Sequence, residues 1–73
     1  MNTVRYRNRR ESAAYLTEKG FKTSPKTLQK LASVGGGPEY RLFGNLALYT
    51  DAALDAYAER KLSAPRYSTS QAA

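Results

Sequence analysis

Seventy-three residues with twelve Lys and Arg against six Asp and Glu carry a net charge of +6, and the chain contains neither cysteine nor histidine. A chain this short makes a single domain that buries only about 60% of its unfolded surface, and it lacks the thiols and imidazoles that would staple it, ligate zinc or supply a nucleophile. No apolar run reaches the roughly 18 residues of a membrane helix and none resembles a signal core, so the sequence reads as cytoplasmic, with no membrane partner.

The first seven residues have no apolar periodicity and read as a flexible basic arm carrying Arg5 and Arg7, with Tyr6 between them. Asn8 with Glu11 three places on is a capping-box pattern, which starts a first helix near Arg9. Along it Ser12, Ala13, Tyr15 and Leu16 share one face, and Gly20 is placed to end it in a left-handed conformation. Phe21, Lys22 and Thr23 form a tight link with Phe21 folded back on the core, and Ser24 followed by Pro25 is the cap of a second helix running to about Ser33.

The second helix is the most informative segment. At about 100° per residue, Leu28, Leu31 and Ala32 gather on one side and Lys26, Gln29 and Lys30 nearly opposite. Two ammonium groups beside an amide that both donates and accepts have the chemistry to hold phosphates and read a base edge.

Gly35, Gly36, Gly37 and Pro38 end that helix in a loop, and Tyr40 to Phe43 and Leu46 to Tyr49 follow as two short strands. The Gly44-Asn45 link supplies the positive backbone angle of a type II′ hairpin. Thr50 caps a third helix from Asp51 to about Lys61, with Ala53, Leu54, Tyr57 and Ala58 as its apolar face. The expected fold is mainly α with a small β-hairpin, a winged helix-turn-helix over residues 8–62, followed by a disordered tail over 63–73.

Charge and layout point the same way. Residues 1–30 carry eight basic side chains against Glu11 and Glu18, so the entire net charge lies there and the remainder balances to zero. A basic half suits a polyanion, because phosphate neutralisation with counterion release supplies most sequence-independent affinity for nucleic acid. In a winged helix-turn-helix the second helix enters the major groove while a hairpin or arm touches the adjoining backbone or minor groove.

Taken together, these residues resemble the small excisionase-like or AlpA-like winged helix-turn-helix proteins, relatives of the MerR DNA-binding domain. The resemblance spans about Glu11 to Leu62. It lies in Ala13 to Leu16, in Ser24, Pro25, Thr27 and Leu28, in Gly36, Gly37 and Pro38, in Tyr40 and Arg41, in Gly44 and Tyr49, and in the run Leu54, Asp55, Ala56 and Tyr57. It implies a sequence-specific binder of double-stranded DNA in a bacterial or phage nucleoid, with no cofactor, metal or catalytic residue. The job it implies is that of a recombination directionality factor, an excisionase that bends or coats DNA, self-associates on adjacent sites and steers a site-specific integrase. The alternative is a small transcriptional regulator of a mobile element or phage. Two features depart from the family pattern: the stretch between Leu16 and Ser24 is long, and Asn45 and Leu46 stand at the wing tip where many relatives are basic. Leu46 there either packs on Phe43 across the hairpin or serves as an apolar wedge or patch.

The expected DNA-binding set is Ser24, Pro25, Lys26, Thr27, Gln29 and Lys30 from the second helix, Arg41 and Asn45 from the wing, Arg5, Arg7, Arg9 and Arg10 from the arm and first turn, and Lys22 from the link. Arg9 and Arg10 oppose the dipole of the first helix, a cost of a few tenths of a kcal/mol that a bound phosphate relieves. An enzyme is not expected, since the carboxylates are scattered and the triple glycine lacks the Lys-Ser or Lys-Thr of a phosphate loop. Asp51, Asp55 and Glu59 repeat every four residues on the third helix and read as a solvated face. The competing class is a protein-interaction adaptor that docks a partner on that acidic stripe.

Overall fold

A computed structural model describes residues 4–68. It consists of three helices and a three-stranded antiparallel sheet and is mainly helical: β1 (Tyr6–Arg7), α1 (Arg9–Glu18), α2 (Pro25–Val34), β2 (Arg41–Phe43), β3 (Leu46–Thr50) and α3 (Asp51–Lys61), with sheet order β1-β3-β2.

Each helix begins where its capping residue dictates. The Asn8 side chain accepts from the Glu11 N–H at 2.8 Å while the Asn8 N–H donates to the Glu11 carboxylate at 3.0 Å, a reciprocal capping box that opens α1. The same helix closes through a Schellman motif. Phe21 N–H donates to the Leu16 carbonyl at 2.8 Å and Gly20 N–H to the Thr17 carbonyl at 3.0 Å, with Gly20 at φ +100°. The link to α2 is then pinned by Thr17, whose hydroxyl donates to the Thr23 carbonyl at 3.0 Å and accepts from the Thr23 N–H at 3.1 Å. Ser24 caps α2 by accepting from the Thr27 N–H at 3.1 Å, and Pro25 occupies the first turn, where no N–H partner exists to lose.

The hairpin is held in the register Arg41↔Leu48, Leu42↔Ala47, Phe43↔Leu46. Gly44 has φ +66° and Asn45 does not enter the positive region, which is the signature of a type II′ turn. Thr50 both ends β3 and caps α3, accepting from the Ala53 N–H at 3.1 Å, so strand and helix join without a linker.

The core draws one fully buried leucine from each helix, Leu16, Leu28 and Leu54, and closes over Ala47 and Tyr49 of β3 with Ala13, Tyr57 and Ala58. Burial of a leucine side chain stabilises by about 1.5–3 kcal/mol, so these three lock α1, α2 and α3 to one another. Phe21, Tyr15 and Leu31 pack around the rim. Ser12 is fully buried as well, and its hydroxyl donates to the Arg7 carbonyl at 3.4 Å, tying α1 to β1.

Two expectations are corrected. The arm does not extend through residue 7, because Tyr6 and Arg7 form β1 and pair with Thr50 and Tyr49. The sheet is therefore three-stranded, with β3 at its centre, and a strand of two residues is too short to show periodicity in sequence. Helix α2 ends at Val34, before Gly35, in agreement with the expected end at about Ser33. The expected tail has no helix or strand over residues 63–68; residues 69–73, and residues 1–3 of the arm, lie outside the described residues.

Candidate nucleic-acid interface

The outer face of α2 is set by the burial of its inner face. With Leu28 fully buried and Leu31 and Ala32 half-buried, the helix rotation turns Lys26, Gln29, Lys30 and Ser33 outward, and all four are exposed. Together with Ser24 and Thr27 they line one broad, open depression along the helix. Ser33 belongs to this face although it was not among the expected residues. Its signal in the sequence is the spacing 26, 29, 30, 33, one full face of two helical turns.

These six residues and Pro25 do not play equal parts. Ser24 and Thr27 are engaged in the cap, their hydroxyls 2.9 Å apart and the Ser24 oxygen on the Thr27 N–H. Pro25 presets the first turn. That leaves Lys26, Gln29, Lys30 and Ser33 to project outward. Neither lysine has a carboxylate within ion-pair distance among the described residues. Lys26 lies in the first turn of α2, which carries no acidic side chain, so its charge adds to the positive pole of the helix dipole and favours an anion there.

The N-terminal arginines divide. The Arg7 guanidinium donates to Asp51 at 2.6 Å and stacks over the Tyr15 ring at 4.6 Å, and its side chain is only 20% exposed. The Asp51 hydrogen bond raises its pKa. Arg7 thus ties β1 to α3 and is withdrawn from the expected set by a partner 44 residues away. Arg9 donates to the Tyr49 hydroxyl at 3.2 Å and lies over the Tyr40 ring at 5.8 Å, where it braces the tilted Tyr40–Tyr49 ring pair. Arg5 and Arg10 are exposed, as is Lys22 in the link, but Arg5 shares its surface with Glu11 and Glu18 rather than with the α2 lysines.

In the hairpin Arg41 is exposed and donates to the Tyr6 hydroxyl of β1 at 3.3 Å, and Asn45 is exposed in the turn. The structure thus distributes the expected residues over three surfaces: the α2 face, the outer sheet around Arg41, and the Arg5 patch.

The acidic row of α3 faces the protein's own cations. Asp51 holds Arg7, and Asp55 accepts from Lys19 at 2.9 Å and from the Tyr15 hydroxyl at 2.8 Å. Lys19 and Tyr15 hold the Asp55 carboxyl below its ordinary value. In return the Tyr15 phenol oxygen, and then Asp55, push the Lys19 ammonium up to about 12. With two of its three carboxylates paired internally, the stripe offers a docking partner little free charge.

No family model, curated protein or solved structure matches this chain.

Proposed function

We propose that α1, the pinned link, α2 and the hairpin act as a winged helix-turn-helix that binds double-stranded DNA, with α2 in the major groove. The observation that carries this reading is the outward face of α2, two unpaired lysines flanking a glutamine on a helix whose opposite side is locked into the core. Lys26 and Lys30 hold phosphates on either side of Gln29, whose amide has the donor and acceptor pair that fits adenine in the major groove. Arg41, on an exposed hairpin, contacts the neighbouring backbone. The chain carries out no chemistry on the DNA. Its resemblance to excisionase-like proteins favours the specific role of an architectural factor steering an integrase, with a small transcriptional regulator as the second form of the same activity.

Titration of a labelled duplex with the full chain in dilute buffer tests the proposal. Saturable association that weakens steeply as salt rises is expected. A duplex that remains unbound at low ionic strength overturns it.

A further inference from the structure

The hairpin exposes its apolar residues to an unusual degree. Leu42, Phe43 and Leu46 are 64, 76 and 49% exposed, although they sit together around one turn. Strand β2 is also an edge of the sheet, and edges in stable monomers are ordinarily blunted by Lys, Pro or a bulge. Here the edge is short and carries one charge, Arg41, but it has no Lys, Pro or bulge and leaves Leu42 and Phe43 in water.

The register shows what the edge offers. In a hairpin with a two-residue turn the flanking pair, Phe43 and Leu46, exchanges both hydrogen bonds, and the pairs alternate from there. Leu42 therefore turns its N–H and C=O away from β3, onto the open edge. Paired residues share a face of the sheet, so Arg41 and Phe43 lie together on the outer face with Leu46 and Leu48, opposite the face on which Ala47 and Tyr49 meet the core.

We infer that β2 is a self-association strand that pairs antiparallel with β2 of a second copy about a two-fold axis at Leu42. The triplet is self-complementary in that register. Leu42 exchanges its free hydrogen bonds with Leu42 of the second copy, and each Arg41 lies directly across from the other copy's Phe43. Like charges are thereby kept apart and two cation–aromatic pairs form instead. Only the short β2 edge of each copy is covered, far short of the roughly 1,200 Å² total over both partners that marks a stable complex, so the pairing is weak and reversible. Each copy carries +6, and rising salt screens that repulsion while leaving strand pairing and apolar burial intact. Self-association therefore tightens with salt, opposite in sign to DNA binding, and it stands or falls independently of the DNA reading.

Sedimentation of the full chain without nucleic acid, at low and high salt, provides the test. The mass is expected to rise with concentration towards twice the 8.1 kDa of one chain, and to do so at lower concentration in high salt. Phe43→Arg sets arginine against arginine at both pairs and is expected to weaken association by about tenfold or more. Adding Arg41→Phe to that variant restores the pairs in swapped order, and with them association close to the original. Both variants are altered only at exposed positions, and circular dichroism checks that they remain folded. A chain that stays monomeric at millimolar concentration in high salt overturns the inference. So does a dimer indifferent to Phe43→Arg, or a folded double variant that fails to recover.

Discussion

Removing Lys26 and Lys30 separates the α2 surface from the rest of the positive charge. For every phosphate that a protein ceases to neutralise, the dependence of log affinity on log salt flattens by about 0.9 on duplex DNA. Lys26→Ala and Lys30→Ala should each lower the slope by that amount, and the pair by about 1.8. Between 50 and 200 mM salt, one neutralised phosphate is worth about threefold in affinity and two about tenfold. Arg7→Ala is the informative control. The sequence counts Arg7 among the basic residues, but its guanidinium sits 2.6 Å from Asp51 in a side chain only 20% exposed, so it has no charge to offer a phosphate. Its removal should leave the slope unchanged. Fluorescence anisotropy on a labelled duplex of about 20 base pairs, with salt varied at fixed pH, reads all four variants. The reasoning is refuted if the double lysine variant keeps the parental slope, or if Arg7→Ala flattens it as much as a lysine does.

Other substitutions test the fold and its electrostatics. A Cβ on Gly37 would stand 2.8 Å from the Leu31 Cβ, and Gly37→Ala is expected to destabilise by about 1–3 kcal/mol through overpacking; an unchanged melting temperature means that the loop yields freely. Leu28→Ala empties the one fully buried site of α2, at a cost of about 2–5 kcal/mol, comparable with the whole stability of so small a domain, and circular dichroism at room temperature should show it largely unfolded. Ser24→Ala removes the α2 cap for about 1 kcal/mol, read as a lower denaturation midpoint with the same slope. Because the Asp55 carboxyl titrates below its ordinary 3.8 in the fold, its contribution is present above that value and is lost as pH falls through the depressed one. The Lys19 contribution is complete below 10.5 and is lost as pH rises through about 12. Asp55→Asn should remove the acid limb of this cluster in a stability profile and reduce the alkaline one, whose larger cause is Tyr15, whereas an acid limb that persists must come from other groups.

What the sequence disclosed was local. Asn8 with Glu11, Ser24 with Pro25, and Thr50 each satisfy N–H groups within three residues of themselves, so helix starts could be read from neighbours alone. The same holds for Gly20 and for the Gly44-Asn45 turn, whose backbone angles follow from residue type. The outward face of α2 was legible because helical period assigns sides once Leu28 is taken as core. What escaped was long-range. Nothing in the pair Tyr6-Arg7 announces a strand, since its partners Thr50 and Tyr49 lie more than forty residues away and its side chains look solvated. Asp51 and Asp55 looked like a wet helix face because their cations come from β1 and from Lys19, just past the end of α1. Exposure of Leu42 and Phe43 is equally invisible, for an apolar pair in a strand looks the same whether it meets a core or water.

The pairing of β1 with β3 imposes an order of events on assembly. Closing Tyr6 onto Thr50 encloses both α1 and α2 in one loop of the chain. The entropy lost in that closure is offset only once the far strand exists to receive it. The helices and the hairpin are built from near neighbours, whereas the Arg7 clasp on Asp51 joins residues 44 apart and carries the larger closure cost. During synthesis the N-terminal strand emerges earliest yet must wait for almost the whole of the domain, so shortening the chain from its far end before Thr50 leaves that strand without a place to dock.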